Sequence, residues 1–131
     1  MKNVLFVCVE NSCRSQMAEG FARIFGKSVL IAYSAGSRPS GKVNSDAIAV
    51  MLENGIDISK NQSKGFDSLD ARQFDYVITM GCGDVCPFIP AKEHRNWEIT
   101  DPKGRGVEFF RKTRDEIKGK VIELIKEIKE A

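Results

Sequence analysis

The sequence predicts an α/β fold: a small doubly wound parallel sheet of about four strands with helices on both faces. Two observations carry this. Val4-Leu5-Phe6-Val7 is a continuous apolar run, not an alternating one, which marks a strand covered on both faces. A helical stripe and a second apolar strand follow it, and a strand–helix–strand order implies parallel pairing through a right-handed crossover. The 131 residues, 42% of them hydrophobic, fit a single domain, 1–131, with one substantial core.

Lys2 to Val9 reads as the first strand. Met17, Ala18, Phe21, Ala22, Ile24 and Phe25 then form a broad apolar stripe on a helix, and Gly26 is a natural stop. Val29 to Tyr33 is the second strand, closed by the turn Ser34-Ala35-Gly36-Ser37. Arg38 to Val43, with Pro39 and Gly41, reads as a loop. Asn44 or Ser45 can cap a helix that runs through Ala47, Val50 and Met51 to Asn54-Gly55. After a polar connection from Asp57 to Gly65, Phe66 to Arg72 reads as a short helix. Tyr76 to Met80 is a third strand, rich in β-formers. Gly81 to Pro90 holds two glycines and two prolines and reads as a loop. Trp97 to Ile99 suggests a short fourth strand, ended by the turn Asp101-Pro102-Lys103-Gly104. The remainder is one long helix, with Phe110, Ile117, Val121, Leu124, Ile125 and Ile128 on its apolar face and Gly119 weakening it by ~1 kcal/mol.

Composition excludes several functions. Twenty Lys+Arg against eighteen Asp+Glu leave a net charge of +2, too balanced for a nucleic-acid binder, and the C-terminal lysines alternate with glutamates as on a solvated helix face. No apolar stretch approaches the roughly 20 residues that span a bilayer, and no signal peptide is evident, so a cytoplasmic protein without a membrane partner is expected. In that reducing setting four cysteines point to catalytic or redox use ahead of structural disulfides. A zinc site from Cys8, Cys13, Cys82 and Cys86 is the weaker reading, because the spacings Cys-x4-Cys and Cys-x3-Cys miss the tight Cys-x2-Cys form; no metal is expected.

The chemistry concentrates in Cys8-Val9-Glu10-Asn11-Ser12-Cys13-Arg14-Ser15, a Cys-x5-Arg segment between the first strand and the first helix. There the backbone amides of Val9 to Ser15 and the helix N-terminus can face one oxyanion. Arg14 offers a planar fork of donors for two of its oxygens. A catalytic thiol needs such positive surroundings, because an ordinary cysteine is mostly protonated at neutral pH. Ser15 can donate a hydrogen bond to the Cys8 thiolate, and Asn11 can brace the loop. Glu10 is the awkward member: its carboxylate would repel the ligand, so it should point away. The plain alternative makes Cys8 a buried core residue and Arg14 a surface charge; position between a buried strand and a helix argues against it.

From Val7 to Gly20 this segment closely resembles the phosphate-type loop and first helix of arsenate reductases built on the low-molecular-weight tyrosine phosphatase fold. The likeness continues through Tyr33-Ser34-Ala35-Gly36, Ile56 to Ser59, Val77 to Met80, Cys86-Pro87 and Trp97 to Gly104. Gln16 stands where phosphatases of this fold usually have Pro, and Asp101-Pro102 is followed by Lys103-Gly104 in place of the aromatic residues that grip a phenol. The resemblance implies that Cys8 attacks arsenate held by Arg14 and the loop amides, while Asp101 protonates the departing oxygen. It further implies that Cys82 attacks Cys8 and expels arsenite, that Cys86 takes over the disulfide, and that thioredoxin or a low-molecular-weight thiol resets the enzyme, with no tightly bound cofactor. On the residues alone, Asp101 reads first as a turn or helix-capping acid, which Asp-Pro favours by itself.

Two departures from the family bear on these roles. Cys82 and Cys86 are closer in sequence than the usual pair in thioredoxin-coupled members, which leaves both reductants in play. Asn11, Glu19 and Ser34 match residues that hold potassium in some relatives, but their further acidic ligand corresponds to Lys64, either an ammonium in place of the ion or a solvated lysine. Cys13 is expected to be structural, His94 exposed in a charged loop, and Trp97 packed beneath the Asp101 turn. The alternative function is a phosphatase that hydrolyses phosphomonoesters through a Cys8 phosphocysteine. A metal or arsenite sensor is a distant third.

Overall fold

The computed structural model describes residues 1–69, 73–81 and 86–131. Cys82, assigned a relay role from the sequence, lies outside the described residues, as does the 70–72 end of the expected short helix. The elements are β1 (Lys2–Cys8), α1 (Arg14–Phe25), β2 (Leu30–Gly36), α2 (Ser45–Leu52), β3 (Phe74–Thr79), β4 (Ala91–Asn96) and α3 (Val107–Glu130), with one 3-10 turn at Phe66–Ser68. The strands form a parallel sheet in the order β2-β1-β3-β4. The chain moves outward from β1 to β2 and then crosses back to β3, so the topological switch lies between β1 and β3. Open α/β sheets bind ligands in the crevice beyond the strand ends at that point.

The continuous apolar run of β1 is explained by its two covered faces. Val4, Phe6 and Cys8 join the larger core under α1, α2 and α3, while Leu5 and Val7 join a smaller cluster with Ala35, Leu69, Phe74 and Val77. Helical segments thus lie on both faces, unevenly: three α-helices on one, the turn at Phe66–Ser68 on the other. Asn44 caps α2, its Oδ1 accepting from the amides of Asp46 at 2.8 Å and Ala47 at 3.3 Å. Gly119 sits on the open face of α3, where a Cβ would meet nothing within 4 Å. Among the described residues no helix is long and apolar enough to cross a membrane.

Two elements differ from the sequence reading. β2 runs on through Ser34-Ala35-Gly36, because the parallel register pairs Gly36 with Cys8 at the far end of β1. The fourth strand is Ala91–Asn96 instead of Trp97 to Ile99. It is an edge strand made of Ala-Lys-Glu-His-Arg-Asn, whose charges discourage pairing with another chain and also hide the apolar pattern that marks a buried strand. His94 is exposed as expected, but on this strand, its ring stacked on Phe88 at 4.7 Å. Trp97 packs on Phe6, with ring centroids 5.9 Å apart.

Candidate active site

The segment between β1 and α1 wraps the carboxyl end of the sheet because three of its carbonyls are held by later segments of the chain. Val9 O accepts from Arg38 N at 2.9 Å, Glu10 O from Ser40 N at 3.2 Å and Ser63 Oγ at 2.6 Å, and Ser12 O from Asn44 N at 2.9 Å. The amides of residues 10–14 have no protein acceptor among the described residues. Cys13, at the N-cap of α1, adds no side-chain cap. Uncapped amides around one concave loop are what an anion requires. Gly36 permits this close wrapping: a Cβ there would stand 2.5 Å from Val9 O and 2.8 Å from Cys8 O.

Cys8 ends β1 and is buried. Its Sγ lies 3.0 Å from Ser15 Oγ and accepts from Ser15 N at 3.4 Å. The direction of the first bond follows from Asn11. Asn11 Nδ2 donates to Ser15 Oγ at 2.6 Å, so the one hydroxyl hydrogen of Ser15 is left for the sulfur. The orientation of the Asn11 amide is fixed by its other end, where Oδ1 accepts from Gln16 Nε2 at 2.9 Å and Lys64 N at 3.0 Å. Asn11 holds φ at 53°, a left-handed conformation that Asn tolerates better than most residues.

Arg14 is buried, and its Nη1 donates to Ile99 O at 2.9 Å. Its Nη2 lies 3.9 Å from Asp101 Oδ2, and its Nε is buried with no hydrogen-bond partner. A buried guanidinium donor without an acceptor is costly unless a ligand oxygen fills the place. Gly81, just after β3, makes room for this arginine, since a Cβ there would be 2.7 Å from Arg14 Nη1. Asp101 is half exposed and receives the Lys103 amide on Oδ1 at 3.1 Å. Thus Cys8, Asn11, Arg14, Ser15 and Asp101 converge at one end of the sheet.

The remaining candidates occupy distinct places. Burial pushes the Cys13 thiol up to about 12, against a smaller opposing hydrogen bond from Ser12, so at neutral pH Cys13 is a protonated core residue. Cys86 is half-buried beside the smaller core, its Sγ 3.8 Å from Ser37 Oγ. Glu10 is gripped by Lys103, Nζ to Oε1 at 2.9 Å. Glu19 is buried and accepts from Ser34 Oγ at 2.6 Å and Arg23 Nη2 at 2.7 Å. Lys64 Nζ stands 3.8 Å from the same carboxylate and donates to Ser34 Oγ at 3.3 Å. Among the described residues no cluster of three or more His, Cys, Asp or Glu is placed to hold a metal ion.

Gln16 belongs to the site although sequence reasoning assigned it no role there. Its Nε2 also donates to Gln62 O at 3.0 Å, and its Oε1 accepts from Asn61 Nδ2 at 3.2 Å, so it pins the loop 61–64 to Asn11. A polar amide directly before the apolar stripe that begins at Met17 was the available signal. Gly81 and the Ile99 carbonyl left no such signal.

Residues 3–131 match the family model described as low molecular weight phosphotyrosine protein phosphatase. The chain is 42% identical over 131 residues to the glutaredoxin arsenate reductase of Synechocystis sp., covering 98% of this chain and 99% of that protein. A solved structure of an arsenate reductase in the phosphate binding state superposes with a TM-score of 0.87 at 41% identity, covering 98% of this chain and 99% of that one. The thioredoxin-dependent arsenate reductase of Corynebacterium glutamicum superposes with a TM-score of 0.81 at 36% identity, covering 98% of this chain and 62% of that one.

Proposed function

The chain belongs to the low-molecular-weight phosphotyrosine protein phosphatase family, and on that premise we propose that it is an arsenate reductase of the thiol-dependent kind. One observation carries the site assignment: the buried Cys8 sulfur, met by Ser15 Oγ and N, stands in a loop where the amides of residues 10–14 and Arg14 Nε have no acceptor among the described residues. Those donors bind the arsenate oxygens. The oxyanion-binding set is Val9, Glu10, Asn11, Ser12, Cys13, Arg14 and Ser15, acting through main-chain amides and the Arg14 fork.

The Cys8 thiolate attacks arsenic and displaces one oxygen, which Asp101 protonates so that it leaves as water. Cys82 then attacks the Cys8 sulfur. The electron pair of the sulfur–arsenic bond passes to arsenic, which leaves as arsenite, and a Cys8–Cys82 disulfide remains. Cys86 attacks Cys82 and releases Cys8 as a thiolate, and an external thiol reduces the resulting Cys82–Cys86 disulfide. Thioredoxin, a glutaredoxin or a small thiol supplies that reduction, in keeping with the dependence named for two relatives. Thiols that must be re-reduced in every cycle fit a reducing compartment, the cytoplasm.

The cation site takes a different form from that of potassium-binding relatives. Lys64 Nζ already faces Ser34 and Glu19, and a potassium ion in that place would meet the ammonium. The residues therefore do not fit the ion, and the lysine supplies the positive charge behind Asn11.

The runner-up, a phosphatase, rests on the same loop and on Asp101 within reach of Arg14. Cys82→Ser and Cys86→Ser separate the two. Multiple-turnover arsenate reduction with thioredoxin should stop in each, while any hydrolysis of an aryl phosphate should survive because it ends with water. Reduction that proceeds unchanged in both variants would overturn the relay.

A further inference from the structure

Glu10 poses a physical problem for the cradle. It is the one acidic residue of the loop from Cys8 to Ser15, and a carboxylate beside an anion site weakens the ligand. The answer comes from a residue 93 positions away, as Lys103 Nζ donates to Glu10 Oε1 at 2.9 Å. The two side chains are 53% and 39% exposed, so the pair adds little to the stability of the fold. Its use must be sought at the site it borders. A second contact ties Lys103 to that site: its main-chain amide holds Asp101 Oδ1 at 3.1 Å. The hydrogen bond that Lys103 donates to Glu10 is the main reason its ammonium is held above its ordinary range, and the Asp101 carboxylate adds to it.

We propose that Lys103 is a positioning residue of the arsenate site, which neutralises Glu10 in an ion pair and draws the Asp101 turn against the anion loop. The inference deepens the arsenate-reductase reading and rests on its anion cradle. Lys103 acts on binding more than on the chemical step. Asp101 is held by the main-chain amide, which survives any change of the side chain, whereas the charge of Glu10 is released when the ammonium is lost.

Inorganic phosphate is the probe, its binding measured by calorimetry at low salt, with steady-state arsenate reduction in parallel. Lys103→Met is expected to weaken phosphate binding and raise the arsenate KM about fivefold, with kcat changed less than about twofold, as fits one exposed charge near a dianion. Glu10→Gln combined with Lys103→Met should restore both to near the wild-type values, and added salt should shrink the defect of the single variant. The proposal is overturned if Lys103→Met binds phosphate as the wild type does, or if the double variant stays as weak as the single one. Phosphate binding requires only the cradle. A wild-type protein that binds phosphate yet turns over no arsenate overturns the proposed function, and the binding series still decides the role of Lys103.

Discussion

Asn11 Nδ2 donates to Ser15 Oγ at 2.6 Å, and this single bond decides where the Ser15 hydroxyl hydrogen goes. An amide nitrogen can only donate, so Ser15 accepts from Asn11 and gives its hydrogen to Cys8 Sγ, 3.0 Å away. The three residues form one unit. Ser15→Ala and Asn11→Ala should each lower the kcat/KM for arsenate by about tenfold or more, the scale of a hydrogen bond to a charged sulfur. The double variant should be little worse than the poorer single one, because Asn11 acts by orienting the hydroxyl that Ser15→Ala removes. Fully additive losses in that cycle would show that Asn11 acts elsewhere.

Gly81 faces Arg14 so closely that the glycine sets where the guanidinium of the proposed anion cradle can lie. A Cβ would stand 2.7 Å from Nη1, and φ of 76° is itself a strained value for any side chain. Gly81→Ala should push Nη1 away from Ile99 O and tilt the guanidinium, weakening phosphate binding and raising the arsenate KM by about tenfold, with a loss of about 1–2 kcal/mol in stability. Calorimetry with phosphate checks the first effect and thermal unfolding the second. Unaltered phosphate affinity would mean that Arg14 keeps its place.

The parts of this site that the sequence makes legible are those carried by local pattern. The apolar run of β1, the Cys-x5-Arg spacing and the helix stop at Gly26 are adjacent along the chain, and each announces its element. What could not be read depends on distant segments meeting. Gln16 reaches Gln62 O, Gly81 touches Arg14 and Lys103 grips Glu10 only once the sheet has gathered those loops at one end. β4 was hidden for another reason: its exposed edge asks for charge where a buried strand asks for apolar residues.

Lys64 is expected to make activity independent of potassium. The buried Glu19 carboxylate already receives Ser34 and Arg23 and has the Lys64 ammonium 3.8 Å away. Arsenate kinetics of the wild type should be the same in potassium and in choline salts. Lys64→Ala should lose about 1–2 kcal/mol of stability, as a buried carboxylate loses one of its partners. Turnover by that variant should then respond to potassium, because the site would be short of a positive charge. A potassium response in the wild type would refute the substitution.

Glu53 supplies an acid-sensitive link between helices. It caps the end of α2 and meets two arginines of α3, with Arg111 Nη2 at 2.8 Å and Arg114 Nη1 at 2.6 Å. Hydrogen bonds from Arg111 first and Arg114 second lower its carboxyl from the ordinary 4.5 to about 2. A folded value below the unfolded one means that the carboxylate stabilises the fold fully above pH 4.5 and that this contribution fades as pH falls through about 2. Glu53→Gln should therefore unfold at a lower temperature than the wild type at neutral pH, with the gap closing steadily between those two values. The comparison belongs at low ionic strength, because Glu53 and Arg111 reach solvent and salt screens that pair. A gap that stays constant down to acid pH would mean that Glu53 holds the helices by packing and not by charge.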